Sequence, residues 1–585
     1  MKKKLVTTML ALTITMTTMA GCGNSSPEEN TATEYEEYCT DAEVDEVCEA
    51  APESYSPSVD SSAATYESAG VGTASPGRSY NNRIAAATEE AAWDMEYDEY
   101  YPEYKYNTED YTAREENEFT MVASNPLSTF AADVDTASYS NMRRMVEWGY
   151  GINDFPEGSI RAEEMINYFK YDYVKPKFGD NFGVDAKVAR CPWNEDNMLL
   201  VMGITTEEMD SREKPASNIV FLVDVSGSMS DPNKLPLLKE AMGLMVDNLT
   251  KEDKVSIITY ASGSQLVLNG VDGSNHIKIK KAFNELEAGG STNGEGGLIK
   301  AYQLAERHFI EGGNNRVIIA SDGDFNVGAT SKDDLTELIT EKKESGIFLS
   351  TLGFGMGNYS DTTMETLADN GNGNYAYIDD LSEAKKVLVD EFESTLYTVA
   401  KDTKFQVEFN PALVNSYRLV GYENRQLAAK DFRDDTKDGG ELGSGRQITV
   451  MYEIELAGNG NDDGDLKYQS TNLSSKGKAG DEWCTLSVAY KEPDGEKSRY
   501  LEFPIGVNNV VKKPSEDFLF AADVAMLAMA LNNSSSLKDF GRYEAVERIN
   551  ADVKEMNSND ELRSEFGYIV EQILENSNGN YYYYE

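Results

Sequence analysis

The sequence predicts a multidomain α/β + β protein: a doubly wound, mostly parallel α/β domain inserted in a β-rich domain, with a helical segment after it and an acidic linker before it. Three observations carry this expectation. Between about Ala216 and Ala400, apolar runs of strand length alternate with amphipathic stretches of helical period. On either side, at Phe182–Thr206 and again after about Lys404, short strand-like runs recur without such helices. From Gly23 to about Glu118 the chain is rich in Glu, Ser, Ala and Tyr and has no hydrophobic period, the composition of a disordered spacer.

Taken in order, the chain of 585 residues opens on "MKKKLVTTMLALTITMTTMAGC", with three lysines, an uncharged stretch, and small residues before Cys22. This is the layout of an export signal, residues 1–21. The acidic, Tyr-rich linker spans residues 22–118. A helical segment, residues 119–180, contains "DVDTASYSNMRRMVEW" and "RAEEMINYF", which predict helices over Ser138–Trp148 and Arg161–Phe169. There Asp135 and Thr136 are expected to cap the first helix; Asp133 with Asp135 as a cation-attracting pair is the alternative.

The first β part covers residues 181–215, the α/β domain 216–400 and the second β part 401–510. In the last of these, Pro493-Asp494-Gly495 marks a hairpin turn. The stretch "FLFAADVAMLAMAL" at Phe518–Leu531 is too short for a membrane span and carries Asp523, so it reads as a buried helix within the helical segment 511–575. Residues 576–585 form a polar, aromatic tail.

Within the α/β domain, "NIVFLVD" is a buried strand. The following helix aligns Leu235, Leu238, Met242, Met245 and Leu249 on one face, with Pro232 suited to its first turn. "KVSIITYAS", "RVIIASD", "IFLSTLGFG" and "NYAYID" are further strands, and "SQLVLNGV" is an antiparallel edge. A further helix is expected after "NYAYID". Ligands of doubly wound sheets bind beyond the carboxyl ends of the strands. Asp224 and Asp322 both fall there.

The charge narrows the partners. The formal net charge is −49, and removing the leader with its three lysines leaves −52. Such a surface repels nucleic acid, which is excluded as a partner. There are two histidines, His276 and His308, and no CxxC pair, so zinc is not expected. Export permits disulfides; Cys39–Cys48 and Cys191–Cys484 are the pairings considered, with free thiols as the alternative for the second.

The residues at the strand ends are Asp224, Ser226 and Ser228, then Thr292 in "GGSTNGEGG", then Asp322 in "SDGD". All five offer oxygen, the donor that hard cations such as Mg²⁺ prefer. No histidine is placed to activate a serine, and the G-x-S-x-G elbow is absent. Ser226 also stands where an aspartyl phosphotransferase needs its second aspartate. The residues therefore favour a metal cage over an enzyme. Glu295, Asp324 and Asn326 line the same loops; they read as solvated loop residues, with groups supporting the ligands as the alternative.

These five residues match the DxSxS…T…D pattern of the von Willebrand factor type A (VWA) domain and its metal-ion-dependent adhesion site, and the wider chain resembles bacterial VWA lipoproteins. The resemblance implies a Rossmann-like VWA fold that binds Mg²⁺, with Mn²⁺ or Ca²⁺ as alternatives, and is not an enzyme. It implies that a Glu or Asp of a protein partner completes the coordination. Ser382–Ala400 is the candidate for the last helix that the resemblance implies. Met19-Ala20-Gly21-Cys22 resembles a bacterial lipobox, which implies lipid on Cys22 and an extracytoplasmic, membrane-tethered protein, at the cell surface or in the periplasm. The alternative is a structural or assembly component of an envelope complex whose metal only stabilises the loops.

Overall fold

The computed structural model describes residues 109–579, apart from short stretches at 133–134, 210–213, 324–331, 392–393, 395, 438, 459–472, 494, 538–539 and 557–559. The predicted leader, Cys22, Cys39 and Cys48 lie outside the described residues, as do Asp133, Asp324 and Asn326.

Strands from both sides of the α/β region build one β unit. Its first sheet is antiparallel and five-stranded, in the order Thr120–Met121, Val414–Leu419, Gln447–Leu456, Asn194–Thr206, Phe182–Cys191. Leu199 pairs with Glu453 and Val201 with Met451, so segments preceding and following the α/β region lie side by side. The second sheet runs Gly440–Gly443, Thr398–Phe409, Glu482–Lys491, Arg499–Gly506, and Leu127–Ala131 pairs with its Thr398–Phe409 strand. The last two long strands pair antiparallel as the predicted hairpin requires, and Asp494 of its predicted turn lies outside the described residues.

Asn194–Thr206 reads as a nearly continuous apolar run because both of its faces are covered. Leu200, Met202 and Ile204 face the second sheet, in a core with Phe405, Val407 and Leu486. Leu199 and Val201 point the other way, with the period of two a strand imposes, into a layer of helices. That layer joins Ala137–Glu147 and Ala162–Asn167 from the early segment to Glu516–Leu531, Arg542–Glu555 and Glu561–Ser577 from the late one. Glu516–Leu531 is buried almost throughout, as read from its sequence.

The α/β domain has a six-stranded sheet in the order Tyr375–Ile378, Ile347–Phe354, Asn314–Ser321, Ser217–Asp224, Lys254–Tyr260, Ser264–Asp272. All neighbours are parallel except the last pair, which confirms the antiparallel edge. Ser217–Asp224 lies between a strand that follows it closely in sequence and one that follows much later. Its carboxyl end is therefore a topological switch point, where such sheets leave a crevice. Ile219, Phe221 and Val223 pack under one helical layer, Val220 and Leu222 under the other.

Several expectations need correction. Packed structure begins before Glu118: Asn117 donates to the carbonyls of Leu419 and Gly421 at 3.1 and 2.7 Å, and Glu109 pairs with Arg144. Asp135 and Thr136 do not cap the first helix through their side chains. Asp135 instead accepts from the Tyr375 backbone N–H at 2.8 Å and from Arg425 at 3.0 Å, joining the α/β domain's edge strand to the β unit. Pro232 precedes its helix, which starts at Leu235 with Pro236 in the first turn. Ser382–Ala400 is not one helix: a short helix, Leu381–Lys385, passes into a π-turn at Lys386–Asp390, and Thr398 already belongs to a strand of the β unit.

Cys191 and Cys484 are both free and buried. Cys191 faces the helical layer and Cys484 the core between the sheets, so the first sheet separates them.

Candidate metal centre

Asp224 ends its strand fully buried. Beyond it the chain turns at once. Ser226 is extended, Gly227–Ser230 forms a 3₁₀ turn, and Met229 anchors that turn in the core. The backbone N–H of Ser226 donates to Asp224 Oδ1 at 2.8 Å, and the Ser226 and Ser228 hydroxyls lie 3.0 Å apart.

A second loop closes on this one. Gly227 N–H donates to the Gly290 carbonyl at 3.0 Å, and Gly289 N–H to the Val225 carbonyl at 2.7 Å. Gly290 has φ +92°, and a Cβ there would stand 2.7 Å from Ser262 Oγ, so the approach requires glycine. These bonds hold this second loop beside the serine loop, and half-buried Thr292 follows two residues after Gly290, just ahead of the helix Glu295–Arg307. Glu295 is the first residue of that helix and is half-buried.

Asp322 follows directly on Asn314–Ser321, the strand paired with Ser217–Asp224, and is fully buried. Ser321 Oγ donates to Asp224 Oδ2 at 3.0 Å. The structure therefore gathers all five predicted residues at one end of the sheet. The acids lie deepest, and the rim at Gly227, Ser230 and residues 289–291 is exposed.

The electrostatics suit a hard cation. Burial pushes the Asp224 carboxyl up to about 6, and the charge of Asp322 pushes it the same way, against the bonds from Ser226 and Ser321. Two acids crowded in a buried site would gain from a divalent ion held nearby. Asp224, Ser226, Ser228, Thr292 and Asp322 would hold it, all through oxygen. Among the described residues no cluster of three or more His, Cys, Asp or Glu side chains is poised to hold a metal; this site has two acids and three hydroxyls. His276 bonds to the Leu249 carbonyl and His308 to Asn269, and neither joins the site.

Two side chains here escaped the sequence reading. Lys234 is 3% exposed, and its Nζ donates to Asp322 Oδ2 at 3.0 Å and to Asn358 Oδ1 at 2.9 Å. Asn358 Nδ2 donates to the same Asp322 oxygen at 3.1 Å. The room for Lys234 comes from Gly355, at φ +75°, where a Cβ would stand 2.2 Å from Lys234 Cε. The available signal was a lone lysine between the serine loop and its helix, with a glycine-rich loop at the end of the neighbouring strand.

Residues 218–391, which contain the whole constellation, match the von Willebrand factor type A domain. Residues 105–201 match a profile described as von Willebrand factor, and residues 394–575 match "Uncharacterized protein YfbK, C-terminal". The uncharacterized protein YfbK of Escherichia coli K12 is 42% identical over 436 residues, which cover 73% of this chain and 75% of that protein. The chain belongs to the YfbK family of VWA-domain proteins.

More distant relatives share less. The uncharacterized protein sll0103 of Synechocystis is 27% identical over 42% of this chain and 57% of its own length. Human inter-alpha-trypsin inhibitor heavy chain H4 is 25% identical over 41% of this chain and 27% of its own. Among solved structures, a von Willebrand factor type A protein from Catenulispora acidiphila aligns with TM-score 0.38 and 14% identity, covering 69% of this chain and 91% of that one.

Proposed function

We propose that this protein is a lipid-anchored, extracytoplasmic, non-enzymatic VWA protein that binds a protein partner through a divalent cation, Mg²⁺ in the first place. The carrying observation is the arrangement of five oxygen donors at the switch point, with buried acids below and an exposed glycine-rich rim above. Three of the five are neutral hydroxyls, so only Asp224 and Asp322 offset the charge of the ion, and Asp322 is already paired with Lys234. A Glu or Asp of the partner supplies the remaining ligand, and a charge-assisted contact in a partly desolvated site makes an effective hot spot. Cys22 carries the lipid, and the linker after it spaces the folded part from the membrane.

The competing reading is an envelope assembly component whose ion only holds the loops. It is weakened by Lys234, which already joins the Asp322 and Asn358 loops without an ion.

Cross-linking on intact envelopes, followed by mass spectrometry, tests the proposal. Partners should be captured by the wild type in Mg²⁺, and lost both in EDTA and with Asp224→Ala folded as judged by its melting curve. Capture of the same partners with and without the ion, or unfolding as the sole effect of Asp224→Ala, would sink it.

A further inference from the structure

We infer that Lys234 is a built-in counter-cation of the metal centre, which neutralises Asp322 so that the bound ion retains charge for an acidic partner. The inference rests on the proposed metal-dependent reading and adds the residue that sets the site's preference for a carboxylate.

A lysine buried to 3% exposure is costly unless its ammonium is paired and hydrogen-bonded. Packing alone would be served by an apolar side chain of similar length. Instead the chain shapes a place for the charge. The turn at Asp231–Lys234 is closed by the Lys234 N–H donating to the Asp231 carbonyl at 3.0 Å, and directs Lys234 inward. Gly355 leaves space along its aliphatic stem, and Asn358 contacts both members of the pair.

The consequence is electrostatic. Two ionised aspartates alone would cancel the charge of a divalent ion and leave little attraction for a third carboxylate. With the ammonium on Asp322 the assembly of ion, two acids and lysine carries net positive charge. The same ammonium repels the ion, so the site trades cation affinity for affinity toward an acidic ligand. Charges a few ångströms apart near a protein surface interact strongly enough to change a binding constant by about tenfold.

Calorimetric titration of Mn²⁺ into the full chain tests this, repeated in acetate as a carboxylate probe. The wild type should bind Mn²⁺, and acetate should strengthen that binding. Lys234→Gln, which keeps a hydrogen-bond donor and removes the charge, should bind Mn²⁺ about tenfold more tightly and lose most of the acetate effect. Asn358→Asp, which gives the ammonium a second carboxylate, should also tighten Mn²⁺ binding and guards against a Lys234→Gln chain that fails to fold. A lysine that merely holds the loops would weaken Mn²⁺ binding when replaced. Equal or weaker binding by the folded variants overturns the inference while leaving the metal site standing; absence of Mn²⁺ binding by the wild type overturns both.

Discussion

Arg143 and Asp379 form a two-pronged ion pair, Nε to Oδ2 at 2.8 Å and Nη2 to Oδ1 at 2.6 Å, between the first helix of the helical layer and the end of the α/β sheet's Tyr375–Ile378 strand. The same guanidinium reaches Glu383 at 3.0 Å and Glu565 at 2.7 Å. One side chain thus ties the α/β domain to helices from both ends of the sequence. Removing one member of a buried ionic cluster leaves the others uncompensated, at a cost of about 3–5 kcal/mol. Arg143→Met should lower the unfolding free energy by about that much, measured by urea titration followed by far-UV circular dichroism.

At the metal centre, stability and binding should separate. The ionised Asp224 carboxylate is disfavoured by burial and by Asp322, which raises its folded pKa to about 6. At pH 7.5 the ionised group therefore costs the metal-free fold on the order of 1–3 kcal/mol relative to a neutral one. Asp224→Asn should melt at a higher temperature than the wild type in EDTA. It should also lose the rise in melting temperature that Mg²⁺ gives the wild type. Differential scanning calorimetry with and without Mg²⁺ reads both effects.

Asp523, within the buried Glu516–Leu531 helix, predicts a pH dependence. Burial, with a contribution from Asp552 and partial relief from Arg548, pushes its carboxyl up to about 8. Between the ordinary carboxylate pKa near 4 and this value, the unfolded chain binds fewer protons than the folded one. Stability from this group is therefore largest in acid and declines as pH rises toward 8. Asp523→Asn should remove the dependence. Its stability relative to wild type should grow by about 1.4 kcal/mol per pH unit between pH 5 and 7, read from urea unfolding at each pH. A constant difference across that range would refute the assignment.

Thiol chemistry checks the two buried cysteines. Burial pushes both thiols well above their ordinary pKa, which disfavours the reactive thiolate. Iodoacetamide should leave Cys191 and Cys484 unmodified in the native protein and alkylate both in guanidinium chloride. Peptide mapping of an unreduced digest should contain no Cys191–Cys484 peptide.

The α/β order, the antiparallel edge and the hairpin of Glu482–Lys491 with Arg499–Gly506 were legible because local patterns express them, whereas Asp224, Ser226, Ser228, Thr292 and Asp322 were joined into one set by their match to the DxSxS…T…D pattern. Strand alternation, helical period and turn residues act over a few positions. What escaped depends on partners distant in sequence. Lys234 carries no signal of its own in the sequence, because the Asp322 and Asn358 loops that surround it are distant in the chain. Asp135 carried a cap signal, but Tyr375 and Arg425 offered its carboxylate better-placed donors. The Cys191–Cys484 pairing followed from assigning both to one β unit, without knowing that they face opposite sides of a sheet. The Ser382–Ala400 helix failed because the strand pairing of Thr398 and Ala400 with Gly443 and Leu442 claims its end.

The pairing of Leu199 with Glu453 has a consequence for the order in which the chain is made. As the polypeptide emerges, Asn194–Thr206 is complete long before its partner Gln447–Leu456 exists: one edge pairs with Phe182–Cys191, the early helices can cover Leu199 and Val201, and the face of Leu200, Met202 and Ile204 lacks most of its core. The entropy of closing the intervening loop rises with its length. An α/β domain that folds first replaces that long flexible loop with a compact body and spares the β unit most of this cost. Early folding of the inserted domain would thus shorten the interval in which the Phe182–Thr206 hairpin waits for its partner strand.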